Sequence, residues 1–157
     1  MTSQRPNGAS PAARKVGYLV GFVVNAILLY LVNERPGWRE VPFLTERMTD
    51  VLPLINLSFL VGAAANLLYV VVDAAWFRSL GQIAVAVVSI VASLRTLQVF
   101  PFDFSPYAFD WATVARWVLV VAVVGSAISI VVELVRLVAH AGHPSIGGGS
   151  ARPRGAV

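Results

Sequence analysis

Four charged residues in the second half of the chain, Arg95, Asp103, Asp110 and Arg116, are the ones best placed to do chemistry. Each arginine lies a short way inside an apolar stretch, and both aspartates lie in the segment between those stretches. If the stretches are helices that cross a bilayer, both guanidinium groups lie about 7 Å below the same face. Ion pairing within the protein is the simpler interpretation, because arginine also snorkels readily to the interface. The alternative is a site for the anionic head of a lipid or another small acid.

A second charged set flanks the apolar stretches at their other ends and comprises Asp73, Arg78, Glu133 and Arg136. Glu133 and Arg136 have the i, i+3 spacing that places two side chains on one face of a helix. We expect this set to lie near the cytoplasmic face.

The middle of the apolar stretches carries only neutral polar residues, such as Asn25, Ser89 and Ser126. Proton relays in membranes usually need a titratable group at that depth. The sequence therefore argues against proton-coupled transport by this chain alone.

Several chemistries are excluded by composition. The chain has no cysteine, which removes disulfide exchange, thiolate-bound clusters and a nucleophilic thiol. Its two histidines, His140 and His143, follow the last apolar stretch, where an imidazole cannot ligate a cofactor within the bilayer. We predict no catalytic residues, no metal and no cofactor. An enzyme that acts on a lipid through Asp103 or Asp110 is the weakest hypothesis, because two loop carboxylates form no recognisable catalytic constellation.

Four apolar stretches must position these residues, and each is about as long as a bilayer is thick. The chain of 157 residues is 57% hydrophobic and 13% charged, with a mean hydropathy of +0.75. This composition predicts an all-α integral membrane protein, a bundle of four transmembrane helices within one domain, residues 16–140. The predicted spans are residues 16–33, 48–73, 80–100 and 111–138. Residues 1–15 and 141–157 are rich in small residues and proline, and we expect flexible cytoplasmic tails there.

Small or polar residues recur at every fourth position of three spans, which places them on one helix face. These stripes, which we expect to face the bundle interior, are Gly17, Gly21 and Asn25; Ser58, Gly62 and Asn66; and Gly125, Ser129 and Glu133.

The first two spans also resemble the last two in spacing. Gly17 and Asn25 match Gly81 and Ser89, and the second and fourth spans match in the same way. Such a repeat indicates two tandem helical hairpins. Chance coincidence is the alternative, since glycine and serine are common here.

The basic residues indicate the orientation. With a cytoplasmic N-terminus, seven of the twelve basic residues lie in inner loops and tails and three in outer loops, the other two being Arg95 and Arg116 inside spans. Both termini are then cytoplasmic; the inverted topology is the alternative. Eleven of the twelve are arginine, which suggests a GC-rich bacterial genome and a bacterial cytoplasmic membrane. The net charge of +4 does not indicate nucleic-acid binding, because the basic residues form no dense patch.

Three function classes follow from these patterns. The first is a non-catalytic subunit, scaffold or assembly partner, in contact with lipid and with other membrane proteins or further copies of itself. The second is a transport or lipid-handling module that binds an anionic lipid or small acid near Arg95 and Arg116. The third, and weakest, is the lipid enzyme.

Overall fold

The computed structural model describes residues 10–141, and this part of the chain is all-helical, as predicted. Its four α-helices are α1 (Pro11–Asn33), α2 (Leu52–Val71), α3 (Ala75–Val99) and α4 (Trp111–Ala141). Two short 3₁₀ helices, Trp38–Glu40 and Glu46–Asp50, lie between α1 and α2. By length and composition, each of the four α-helices could cross a membrane.

Helix α1 begins earlier than the apolar stretch suggested. The Ser10 hydroxyl accepts a hydrogen bond from the backbone N–H of Ala13 at 3.2 Å, and Pro11 occupies the first turn. Both are residues that favour a helix start. Residues 11–15, predicted as part of a flexible tail, therefore belong to α1. Ala141, predicted as the first residue of the C-terminal tail, is the last residue of α4. Residues 1–9 and 142–157 of the predicted tails lie outside the described residues, as does His143.

Helix α2 begins later than predicted. We expected it to start near residue 48, but Glu46–Asp50 forms a 3₁₀ helix and α2 starts at Leu52. Thr45 makes no capping hydrogen bond through its side chain. Pro53 lies in the first turn of α2, where its missing N–H costs least.

Helix α3 begins at Ala75 instead of residue 80, because a turn of only three residues, 72–74, separates it from α2. It ends at Val99, followed by Phe100 at a φ of 44° in the left-handed region and then by Pro101. A proline there cannot continue the helix. Helix α4 starts at Trp111 as predicted, with Asp110 accepting a hydrogen bond from the N–H of Thr113 at 3.1 Å.

The helices pack in chain order. In the described part of the chain, extensive contacts join α1 to α2, α2 to α3 and α3 to α4. The molecule therefore has a loop end, formed by residues 34–51 and 100–110, and a tail end, formed by the start of α1, the turn at 72–74, the start of α3 and the last turns of α4.

The two loops of the loop end are joined by backbone hydrogen bonds. The N–H of Thr45 donates to the carbonyl of Pro101 at 3.0 Å, and the N–H of Asp103 donates to the carbonyl of Phe43 at 2.8 Å. Below them lies a buried apolar cluster of Trp38, Met48, Val51 and Val99. This cluster fixes the first hairpin to the second at one end of the molecule.

Helices α1 and α2 meet through a reciprocal pair of glycines and asparagines. A Cβ atom at Gly21 would lie 2.8 Å from the amide oxygen of Asn66, and one at Gly62 would lie 2.7 Å from that of Asn25. Each asparagine donates from Nδ2 to the carbonyl of the glycine on its own helix, at 2.8 Å. Glycine at each position therefore leaves room for the side chain of the opposite asparagine.

The other stripe residues have different surroundings. Around Gly17 and Gly125 a Cβ atom would meet nothing within 4 Å. The Ser58 hydroxyl donates to the carbonyl of Ile55 at 2.7 Å, and Ser129 is half-buried. The stripes of α1 and α2 thus face each other over part of their length, whereas Gly125 on α4 borders open space.

Candidate functional site

The tail end carries a charge network that joins three helices. Asp73, in the turn between α2 and α3, pairs with Arg14 of α1 at 2.7 Å and also with Arg78 of α3. The side-chain hydrogen bond from Arg14, supported by Arg78, holds the pKa of the Asp73 carboxyl below its ordinary value. Asp73 is therefore a carboxylate at neutral pH.

Glu133 of α4 is the second carboxylate at the tail end, and it is only 7% exposed. Ser79 of α3 donates to its Oε2 at 2.7 Å, and Arg136 donates to its Oε1 at 2.6 Å. A carboxylate can be kept in such a place only when both oxygens are satisfied. The contact also fastens α4 to α3.

Tyr69 is buried beside Arg78 at the tail end. It is 2% exposed, its hydroxyl donates to the backbone carbonyl of Arg78 at 3.2 Å, and its ring packs edge-on against Tyr18 at 5.4 Å. A Cβ atom at Gly81 would collide with the Tyr69 hydroxyl. Glycine at 81 therefore makes room for the tyrosine.

A cavity of about 420 Å³ opens inside this arrangement. Its charged lining consists of Arg78, Arg136 and Glu133, and Ser79 and Gln82 add polar groups. The rings of Tyr18 and Tyr69 form its apolar walls. We call this space the tail-end cavity.

A second concavity, the α2–α4 groove, lies between α2, α3 and α4 and has a volume of about 580 Å³. Its lining is dominated by small or hydroxyl-bearing side chains, namely Ser58, Ser89, Ala92, Ser93, Thr96, Ala122, Gly125 and Ser126.

The four residues proposed for ligand binding are exposed; Asp103 and Asp110 lie in the loop end, and Arg95 and Arg116 lie in the adjacent turns of α3 and α4. In the described part of the chain no ion pair joins Arg95 or Arg116 to Asp103 or Asp110. The guanidinium of Arg116 lies 4.6 Å from the centre of the Phe100 ring. The arginines are therefore not held by the carboxylates that the ion-pair interpretation assigned to them.

The two aspartates are occupied by local hydrogen bonds. Asp103 accepts from the N–H of Ser105 at 3.0 Å, and Asp110 caps α4 through Thr113. These hydrogen bonds hold the pKa of each carboxyl below its ordinary value, and Arg116 adds to the effect at Asp110. Both are therefore charged at neutral pH and cannot serve there as general acids.

An aromatic cavity of about 550 Å³ lies beside them at the loop end. It is lined by Phe43, Phe102, Phe104, Tyr107, Trp111, Val114 and Ala115. The Phe102 and Phe104 rings stack with their centres 5.7 Å apart, and Phe43 stacks on Phe104 at 5.4 Å. This cavity is almost entirely apolar.

Sequence reasoning noticed Asp73, Arg78, Glu133 and Arg136 but missed Arg14, Ser79 and Tyr69. Composition predicts a flexible tail at Arg14, whereas Ser10 and Pro11 are a helix-start signal that places it in a helix. The serine and tyrosine carry no signal in the sequence, because their roles depend on which helices are neighbours.

Within residues 10–141 no group of three or more metal-ligating His, Cys, Asp or Glu residues is found. The chain matches no family model, no curated protein and no solved structure.

Proposed function

We propose that the chain is a multi-pass integral membrane protein of a bacterial cytoplasmic membrane, a bundle of four transmembrane helices with both termini on the cytoplasmic side. Four helices of spanning length support this proposal, as do the large apolar side chains exposed along them, such as Val23 and Ile27 on α1 and Val121 and Ile128 on α4. Exposed apolar faces of this extent are costly in water and favourable in lipid. The basic bias toward the tail end favours the cytoplasmic assignment.

We further propose that its role is non-catalytic and that it serves as a subunit, scaffold or assembly partner for another membrane protein. The observation that carries this proposal is the α2–α4 groove. Transmembrane helices associate through small residues that let backbones approach and through hydroxyl groups that bond across the contact. The groove offers both kinds of residue, and Gly125 at its edge has open space beside it.

The proposed occupant is a transmembrane helix of a different protein. The test is purification from the native host in a mild detergent, with mass spectrometry of the proteins that accompany the chain. Gly125→Leu places a large side chain at the groove. Gly17→Leu is the matched control, because it puts the same side chain in equally open space on α1, outside the groove.

We expect a stoichiometric partner with the wild type and with Gly17→Leu, and its loss with Gly125→Leu. Purification of the chain alone, or equal retention of the partner by both variants, would contradict the proposal. Recovery of a homo-oligomer whose stability Gly125→Leu lowers would replace the foreign helix with a second copy of this chain.

A lipid-handling role at the loop end is the second candidate, and the aromatic cavity is the observation in its favour. An amphiphilic acid could place its apolar part in that cavity and its head near Arg95 and Arg116, since Arg116 packs on Phe100, which in turn contacts Phe102 at 5.3 Å. Asp103 and Asp110 would then orient the loop that forms the cavity wall.

Decanoate is a suitable probe for this second role. We expect it to raise the melting temperature of the wild type and of Arg47→Ala, but not that of Arg116→Ala. Equal protection of all three proteins would remove the role.

A further inference from the structure

The tail-end cavity lies within a network of charged side chains. Among the described residues this network holds three guanidinium groups, Arg14, Arg78 and Arg136, and two carboxylates, Asp73 and Glu133. Two of the three guanidinium groups line the cavity itself. Two arginines that line one cavity are well suited to a phosphate group, because each planar guanidinium can bind two phosphate oxygens at once.

The volume and the walls indicate what kind of anion fits. At about 420 Å³ the cavity falls in the range of roughly 300–1,000 Å³ that is typical of small-molecule sites, well above the needs of a bare ion. The rings of Tyr18 and Tyr69 give it apolar surface beside the arginines, and Ser79 and Gln82 can bond to hydroxyl groups. A phosphate ester with a small polar or glyceryl group matches this combination.

Glu133 lines the same space and opposes an anion, but its two oxygens are already engaged by Ser79 and Arg136. Its charge therefore lowers the affinity for an anion, while its hydrogen bonds hold Arg136 at the cavity. The site can therefore be tested through these two residues, because removal of the Glu133 charge must raise the affinity for an anion and removal of the Arg136 charge must lower it.

We propose that the tail-end cavity is a binding site for a headgroup that bears a phosphate and a net negative charge, which an anionic lipid of the adjacent leaflet or a soluble phosphate ester could supply. The site is distinct from the α2–α4 groove and from the predicted loop-end site, so its existence does not depend on a partner helix. Through Arg78 and Arg136 the headgroup would contact both α3 and α4 and strengthen their junction.

The experiment measures thermal unfolding of the full chain in dodecyl maltoside, with three probes at increasing concentration. The probes are dihexanoyl-phosphatidylglycerol, glycerol 3-phosphate and, as the zwitterionic control, dihexanoyl-phosphatidylcholine. Each variant is compared with its own probe-free melting temperature, so that a change in basal stability does not enter the apparent affinity.

Four variants give the pattern. Arg136→Gln should weaken binding of phosphatidylglycerol by about tenfold or more, the effect of losing a charge-assisted hydrogen bond. Glu133→Gln should tighten it, because the amide removes the opposing charge and keeps a hydrogen-bonding side chain. Ala75→Phe fills the cavity without changing any charge and should abolish binding. Arg47→Gln, an exposed arginine at the loop end, should leave binding unchanged.

Protection by phosphatidylglycerol alone, with this mutational pattern, would support the site and assign it to a lipid. Protection by glycerol 3-phosphate with the same pattern would support the site and assign it to a soluble ester. No protection by either anionic probe would overturn the proposal. So would equal protection by phosphatidylcholine, or a lack of response to both Ala75→Phe and Glu133→Gln.

Discussion

Asp73 and Glu133 show how single residues join the helices of this protein. Each is a carboxylate close to apolar surroundings, where an unpaired charge is costly. Asp73 is satisfied by arginines from α1 and α3, and Glu133 by Ser79 of α3 and Arg136 of its own helix. The contacts of Arg14 with Asp73 and of Ser79 with Glu133 therefore link neighbouring elements, whereas the pair of Glu133 and Arg136 lies within α4.

The lowered pKa of Asp73 predicts how the stability of the protein changes at acid pH. Because this pKa is lowered in the folded chain, the Asp73 carboxylate contributes stability above its ordinary pKa of about 3.9, and this contribution is lost as the pH falls through the folded value. We expect Asp73→Asn to lower the melting temperature at pH 7 and to flatten the fall that begins below about pH 4.

Melting followed from pH 7 downward in one detergent checks this prediction. Asp50→Asn, which removes an exposed carboxyl at the loop end, is the control. An acid limb in Asp73→Asn as steep as that of the wild type would show that Asp103, Asp110 or another carboxyl governs acid unfolding.

The glycine pair between α1 and α2 gives a second prediction. In Gly62→Leu the new side chain meets Asn25, whose amide already bonds to the Gly21 carbonyl. We expect the free energy of unfolding to fall by about 1–3 kcal/mol, the usual cost of overpacking. Gly17→Leu adds the same atoms where nothing lies within 4 Å and should change it little. Unfolding in a titration with sodium dodecyl sulfate measures both variants, and equal losses would contradict the packing described.

At this scale the sequence predicted some contacts and missed others for a physical reason. Every-fourth spacing predicts that Gly21 and Asn25 share one face of α1, because periodicity is a property of one helix. Which helix that face meets depends on the tertiary fold. The same spacing therefore predicts that Gly125 faces the bundle interior, although it borders open space. Ser79 and Tyr69 could not be recognised for the same reason.

At the scale of elements, the connections do as much as the helices to define the structure. The loop that follows α1 carries Gly37 at a φ of 79°, a conformation that glycine adopts readily, and then places Trp38 in the buried cluster. Hydrogen bonds from Thr45 and Asp103 tie this loop to the segment between α3 and α4. The two hairpins are thus joined at the loop end by backbone pairing and at the tail end by ion pairs.

Trp38 tests the contribution of the loop end. Its side chain is 6% exposed, and we expect Trp38→Ala to lower the free energy of unfolding by about 3–5 kcal/mol, as for other buried aromatic residues. Trp117→Ala is the matched control, because Trp117 is 65% exposed on α4. Unfolding of both variants in detergent gives the comparison. A similar small loss in each would mean that the loops contribute little to stability.

Hydropathy located four helices but placed their ends only approximately. The starts of α1 and α3 lie before the apolar stretches, because Ser10 and Pro11 cap the first and a three-residue turn fixes the second. The start of α2 lies after the predicted position, since a 3₁₀ helix takes up residues 46–50. Local hydrogen bonds determine where these helices begin, and mean hydropathy does not detect such bonds.

At the scale of the whole molecule, packing in chain order leaves an open arrangement. Because α4 is held mainly by α3, the α2–α4 groove stays accessible between the hairpins. The charge networks and the paired loops occupy opposite ends, and the exposed apolar side chains lie on the helices between them. This distribution of charged ends and apolar faces is compatible with four helices that cross a bilayer.

The most direct test of this account is the sidedness of the two ends in a membrane. The chain has no cysteine, so that single cysteines can be introduced and labelled with an impermeant maleimide in intact cells and in inverted vesicles. Suitable exposed positions are Thr49→Cys and Ser105→Cys at the loop end and Val72→Cys at the tail end. The account predicts that Thr49→Cys and Ser105→Cys label in intact cells and that Val72→Cys labels only in inverted vesicles. Labelling of all three from one side, or release of the protein from membranes by alkaline carbonate, would contradict four membrane-spanning helices.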